Sequence, residues 1–277
     1  MERIPILGTG LSGLVGSKIT ELLADRFTFT NLDLTNKVDI LQPDSIEAIV
    51  GTSPARVLLH LAAFTDVNAA QEQKDDKNGS CYRVNVEGTR NIAEACARHG
   101  IYLVLMSTGY VFDGTKTTGY VETDAKNPVD WYSQTKSWAE EVVTEICPSA
   151  AILRINFPYR QDALARLDIW HKMANALLAG KNGPFFDDHF FTLTPIEWLA
   201  ETVMAPVITR QPAGIFHTTT DTVYSDYSLA QTIQQSLGLS GELLRSSVHE
   251  YNRTAARPYQ PSLILDSTKL QRWLQST

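Results

Sequence analysis

The chain has 277 residues, 43% of them hydrophobic and 20% charged, enough to bury a large core in one main domain with or without a smaller lobe. Its formal net charge of -7 offers no electrostatic footprint for nucleic acid. No apolar run is long enough for a membrane helix, and Cys81, Cys96 and Cys147 form neither a CxxC pair nor a disulfide framework, so a reducing, cytoplasmic setting without membrane attachment is expected.

The opening stretch organises the rest. Ile4 to Leu7 is a short apolar strand, and the helical pattern Leu14, Val15, Ile19, Leu22, Leu23 follows it. Between and into them fall Gly8, Gly10, Gly13 and Gly16. Strand, tight glycine turn and helix together make a phosphate-binding first βα unit, in which the missing Cβ lets the backbone approach a pyrophosphate and the helix N-terminus offers unpaired N–H groups. Gly8, Gly10, Leu11, Ser12, Gly13 and Leu14 are therefore candidate contacts to a dinucleotide, NAD(H) or NADP(H). No GK[ST] follows, which argues against a P-loop nucleotidase.

Phe27 to Leu34 reads as the second strand, with Asp33 near its end, 25 residues beyond Gly8. A carboxylate there either accepts from the adenosine ribose or caps a turn. Asp39 competes for the adenine end, and a helix is expected over about Pro43 to Val50. Val57 to Ala62 is a nearly continuous apolar run, as a strand buried on both faces should be. The small residues that end it let a ligand lie against backbone, which makes Leu61, Ala62, Ala63 and Thr65 cofactor candidates. A helix from about Cys81 to His99 carries Asn85 in its middle, where an amide needs partners if buried. It holds a water or a backbone carbonyl near the site, or faces solvent.

Ile101 to Met106 is a further core strand that delivers Ser107 and Thr108 at its C-terminal end. From Ser133 a helix runs to Ile146, and Tyr132 and Lys136, four apart, share one face of it. A phenol has an ordinary pKa of about 10 and becomes a useful acid near neutrality only beside a positive charge, which a lysine one turn on supplies. The pair says little alone; the order of glycine loop, strand ending in Ser-Thr, then YxxxK is what points to hydride transfer at a carbonyl. Ile152 to Ile155 is the next strand. The alternation up to residue 156 predicts an α/β fold, a Rossmann doubly wound parallel sheet flanked by helices. Beyond it, helices over Ala163–Leu178, Ile196–Ile208 and Ser225–Leu237 and short strands such as Gly214–His217 predict a small C-terminal α/β lobe. The expected division is 1–156 for the cofactor and 157–277 mainly for substrate, with some segments returning to the main sheet. Asp187, Asp188 and His189 are adjacent and cannot all point into one site from a regular element, so a protein-held metal is not expected.

TGxxGxxG at Thr9–Gly16, STGYVFDG at Ser107–Gly114 and YSQTK at Tyr132–Lys136 resemble the extended short-chain dehydrogenase/reductase superfamily. LAAFTDVNAA at Leu61–Ala70, RVNVEGTRNIAEAC at Arg83–Cys96, PFFDDHFFTLTP at Pro184–Pro195 and ARPYQPSLILDSTKL at Ala256–Leu270 are similar to its dTDP-4-dehydrorhamnose reductase branch. The resemblance implies reduction of a 4-keto group on a nucleotide-linked sugar by NADH or NADPH. It implies Tyr132 as acid, Lys136 as the residue that orients the nicotinamide ribose, and Thr108 as the group that polarises the keto oxygen. It further implies Asn85 and Ser107 on the cofactor side, and Thr108, Tyr110, Asn156 and Arg257 toward substrate, with Arg257 facing its phosphates. Gly109 stands where the branch usually has Asp, and Asn68 and Ala69 where it often has acidic residues. The alternatives are an epimerase or dehydratase with retained NAD, and a cofactor-binding regulatory subunit. A homodimer is compatible with either.

Overall fold

A computed structural model describes residues 2–162 and 167–276. Strands β1 (Ile4–Thr9), β2 (Phe27–Asn31), β3 (Val57–His60), β4 (Tyr102–Thr108) and β5 (Ala151–Ile155) form a parallel sheet, joined at its edge by strand Gly214–His217. Across the sheet the order is Gly214–His217, β5, β4, β3, β1, β2. The chain leaves β1 for β2 on one side and then crosses to β3 on the other, so the crevice between β1 and β3 is the switch point at which ligands of such sheets bind.

Helices cover both faces because side chains alternate along each strand. Leu58 and Leu59, each 0% exposed, lie in different cores. Burying each contributes about 1.5–3 kcal/mol. One core sits under α1 (Leu14–Leu22) and the later helical run Ile196–Arg210; the other sits under α2 (Pro43–Val50) and the long helix that follows β3. A third core, with Met173, Phe191, Leu229 and Ile233 in it, belongs to the C-terminal lobe.

The doubly wound fold expected from the alternation is thus present, with several boundaries moved. β2 stops at Asn31, and Leu34–Asn36 is a 3-10 turn capped by Asp33. Between β3 and β4 lie α3 (Val67–Gln71), α4 (Ser80–Tyr82), a π-helical segment Arg83–Gly88 and α5 (Thr89–His99). The single helix expected over Cys81–His99 is therefore interrupted by a π turn that contains Asn85. α6 (Trp131–Ile146) begins two residues earlier than Ser133, because the Asp130 carboxylate caps it by accepting from Ser133 N at 2.8 Å. The helix expected over Ala163–Leu178 is Ile169–Leu178, and residues 163–166 lie outside the described residues. Among the described residues no helix is long and apolar enough to cross a membrane.

Candidate active site

The glycine turn after β1 is built by exclusion of side chains. Gly10 takes φ +67°, and a Cβ on it would stand 2.6 Å from Ala62 N. A Cβ on Gly16 would stand 2.5 Å from Gly10 O and 2.6 Å from Leu11 Cα, all of it backbone. Gly8 makes room instead for the buried Leu11 side chain, 2.7 Å from where its Cβ would be. α1 starts behind Gly13 with no side-chain cap. Its first N–H groups are left to an anion, and Ser12 and Gly13 are exposed on that edge. The donor set and the clearance fit a dinucleotide pyrophosphate. Asn31, missed in the sequence, fixes the turn from the side: its Oδ1 accepts from Leu11 N at 3.3 Å.

Asp33 and Asp39 are drawn into local structure. Asp33 accepts from Asn36 N at 3.1 Å, from Thr35 Oγ1 at 2.6 Å and from Asn31 Nδ2 at 2.6 Å, and the Thr35 hydroxyl foremost holds its carboxyl below the usual range. Of the two readings of Asp33, the cap is the one these bonds describe, after a strand shorter than expected. Asp39 Oδ1 accepts from Leu41 N at 2.9 Å.

Beneath the turn runs a hydrogen-bond chain that the sequence did not announce. Ala62 N donates to Thr9 Oγ1 at 3.2 Å, Thr9 Oγ1 meets His60 Nδ1 at 2.7 Å, and His60 Nε2 meets Thr89 Oγ1 at 2.9 Å. Thr89 Oγ1 donates to Asn85 O at 2.6 Å, so it accepts from His60 Nε2–H, and Nδ1 accepts from Thr9. Burial, with Lys136 nearby, lowers the His60 pKa to about 3, which keeps the ring neutral. Register could have flagged it, since Thr9 lies opposite His60 in the sheet.

Asn85, 1% exposed, does hold backbone. Its Oδ1 accepts from Phe64 N at 2.8 Å, and its Nδ2 donates to Phe64 O at 3.2 Å and to Thr135 Oγ1 at 2.9 Å. It pins the loop of Leu61, Ala62 and Ala63 to α6. Thr65 lies exposed farther along that loop.

Tyr132 and Lys136 occupy one face of α6, 9% and 3% exposed, and Thr108 at the end of β4 is 8% exposed. Tyr132 meets the Tyr110 ring edge-on, with centroids 6.1 Å apart. Thr108 Oγ1 accepts from Tyr110 N at 3.2 Å, which leaves its own proton to donate. Lys136 Nζ donates to Met106 O at 2.8 Å. Burial lowers its pKa from 10.5 to about 8 against the opposing pull of Glu140. The unfolded chain binds the extra proton between those two values, so stability rises with pH across that window. Below it, the buried ammonium is a load on the fold.

Three other expected contacts have partners within the protein. Ser107 points to the opposite face of β4 from Thr108 and donates to Glu140 Oε1 at 2.6 Å, so its hydroxyl does not face the cofactor edge. Asn156, 2% exposed, donates from Nδ2 to Leu263 O at 2.7 Å and ties β5 to the lobe, while its Oδ1 is buried beside Gly109. Tyr110 is packed against Tyr132 and Phe157 and burial pushes its phenol up. Arg257 stands at the lobe boundary, with Nε donating to Asn68 Oδ1 at 3.0 Å, Nη1 3.5 Å from Asp130 Oδ2 and its guanidinium 4.5 Å from the Tyr259 ring centroid. The two departures from the branch acquire a setting: Asn68 partners Arg257, and a Cβ on Gly109 would meet Leu265 Cδ1 at 3.1 Å, so a carboxylate there requires Leu265 to repack. Asp187, Asp188 and His189 turn to Arg245, Ser247 and Asp226 respectively. Among the described residues no group of three or more His, Cys, Asp or Glu side chains could hold a metal ion.

A family model described as the RmlD substrate binding domain matches residues 4–276. The dTDP-4-dehydrorhamnose reductase of Aggregatibacter actinomycetemcomitans is 27% identical over an alignment that spans 98% of this chain and 93% of that protein. The crystal structure of a dTDP-4-dehydrorhamnose reductase, an RfbD ortholog, from Clostridium acetobutylicum superposes with a TM-score of 0.87 at 26% identity, covering 97% of this chain and 92% of its own. That of dTDP-4-dehydrorhamnose reductase from Bacillus anthracis in complex with NADP reaches 0.88 over 98% and 93%, but at 23% identity it speaks for the fold alone. With the family match running almost end to end over the glycine turn, the YxxxK helix and the lobe, the chain belongs to the RmlD substrate binding domain family.

Proposed function

We infer that the protein is an NAD(P)H-dependent reductase of a keto group on a nucleotide-linked sugar, of the dTDP-4-dehydrorhamnose reductase kind. The observation that carries this reading is the convergence of Thr108, Tyr132 and Lys136 at the C-terminal edge of the sheet, beside a turn in which a Cβ on Gly10 or Gly16 would strike backbone. A nicotinamide bound there supplies a hydride. The protein supplies the rest: the glycine turn and the start of α1 take the pyrophosphate, and Lys136 exchanges Met106 O for a ribose hydroxyl. Thr108 donates to the keto oxygen while Tyr132 gives it a proton. Arg257 takes the sugar nucleotide's phosphates, for which a guanidinium fork suits. In this reading residues 1–156 carry the cofactor and 157–277 mainly the sugar nucleotide.

The test is consumption of NADH or NADPH by the purified protein with a dTDP-linked 4-keto-6-deoxy sugar, with UDP- and GDP-linked sugars alongside. Steady oxidation of the cofactor with formation of the alcohol is the expected result. Retained cofactor with no net oxidation, or none bound at all, overturns the reading. The same assay has an expected pH signature. The protonated Lys136 is the working form and its pKa in the free protein is about 8, so kcat/KM falls as the pH rises through about 8. A flat profile from pH 7 to 10 would remove Lys136 from the charge-dependent step.

A further inference from the structure

Among the described residues, the most deeply buried opposite charges of the main domain join the helix that carries Tyr132 to strand β5. Glu140 follows Lys136 by one turn and Tyr132 by two, on the same face of α6. It is 1% exposed, as is Arg154 on β5. Glu140 Oε1 accepts from Ser107 Oγ at 2.6 Å and from Arg154 Nε at 2.8 Å; Oε2 accepts from Arg154 Nη2 at 2.7 Å and lies 3.7 Å from Lys126 Nζ. Arg154 continues to His217 Nε2 at 3.3 Å on the edge strand, and its guanidinium lies 5.0 Å from the Phe112 ring centroid. Burial raises the Glu140 carboxyl, but Arg154 and Ser107 outweigh it, so the net shift is downward and the group is ionised.

Such a pair is poor material for stability, because removing two charges from water offsets most of their attraction. Its value is positional. Lys136 and Glu140, one turn apart on α6, bond consecutive residues of β4, Met106 O and Ser107 Oγ, and the next residue is Thr108. When Lys136 turns to a cofactor, the bond from Ser107 continues to tie α6 to β4.

We propose that Glu140 is a positioning residue for the reductase: through Ser107 and Arg154 it fixes α6 on the ends of β4 and β5, and so fixes Tyr132 relative to Thr108. This rests on the reductase reading above. Its electrostatic consequence falls on Lys136, which is faced by Glu140 on its own helix, the Cys81 thiol on α4 and the neutral His60 on β3. Arg154 on β5, Lys126 and the cap Asp130 complete the charged surroundings. Removing the anion leaves Lys136 easier to deprotonate.

The experiment compares wild type, Ser107→Ala and Glu140→Gln for kcat, KM, cofactor Kd and the pH profile. Ser107→Ala removes one bond and no charge. It is expected to lower kcat about tenfold with KM and cofactor Kd within about twofold, since a misplacement on the order of 1 Å costs up to about a hundredfold. Glu140→Gln is expected to lower kcat about ten- to a hundredfold and also to move the alkaline limb to lower pH, which a purely structural role would not do. Wild-type kcat in Ser107→Ala overturns the proposal, and that variant decides alone if Glu140→Gln does not fold around an unpaired Arg154. A folded Glu140→Gln with unchanged kcat and limb overturns it equally. A wild-type protein that reduces no keto sugar fails the reductase reading instead, and is told apart by that.

Discussion

Tyr132→Phe is expected to lower the turnover of keto-sugar reduction by about 10²–10⁴-fold while leaving cofactor binding intact, because general acid catalysis by one positioned group contributes about that much. The phenyl ring keeps the packing of the phenol. It still meets Tyr110 edge-on at 6.1 Å, and Lys136, Asn85 and the glycine turn are untouched. What goes is one O–H at the mouth of the sheet. The loss therefore belongs in kcat, and the melting temperature should move by no more than about one lost hydrogen bond, roughly 1 kcal/mol, allows. Single-turnover reduction followed by cofactor fluorescence separates binding from chemistry. Undiminished reduction by the Phe variant would mean that the proton comes from elsewhere, and the assignment of Tyr132 as acid would fall.

Gly16→Ala should have the largest effect on cofactor affinity. Its Cβ would stand 2.5 Å from Gly10 O and 3.0 Å from Leu11 C, and neither is a side-chain tip that can swing aside. α1 must back away from the turn, at a cost of about 1–3 kcal/mol in overpacking. If that cost appears in binding, where about 1.4 kcal/mol is tenfold, affinity for NADH or NADPH drops roughly 5- to 150-fold. Gly180→Ala is the control. It carries φ +75° with nothing within 4 Å of a Cβ, so it adds backbone strain far from the turn. Titration calorimetry on both variants should show the affinity loss in Gly16→Ala only, while both melt lower than wild type. Equal affinity in the two would place the pyrophosphate away from this turn.

Much of this is legible in the amino-acid sequence. The glycine spacing, the alternation of apolar strands with amphipathic helices and the four-residue step from Tyr132 to Lys136 are local patterns, and local patterns follow from the periods of strand and helix. Asn85 was also visible as an amide with unmet needs, and the structure meets them with Phe64 and Thr135. Boundaries were less secure. The strand expected through Leu34 ends at Asn31, because Asp33 finds more partners as a cap, and the helix around Asn85 takes a π turn that no apolar spacing marks.

The sequence by itself determined that a glycine turn, a Thr at a strand end and a Tyr–Lys pair would occur in that order on a doubly wound sheet. Each of those depends only on neighbours a few residues apart. The tertiary structure alone decided which polar groups meet: Ser107 with Glu140 and Arg154, Thr9 with His60 and Thr89, Arg257 with Asn68 and Asp130. Glu140 and Arg154 are 14 residues apart, Asn68 and Arg257 189. A hydrogen bond acts over about 3 Å, and no periodicity in the chain encodes which distant donors and acceptors folding will bring within that reach.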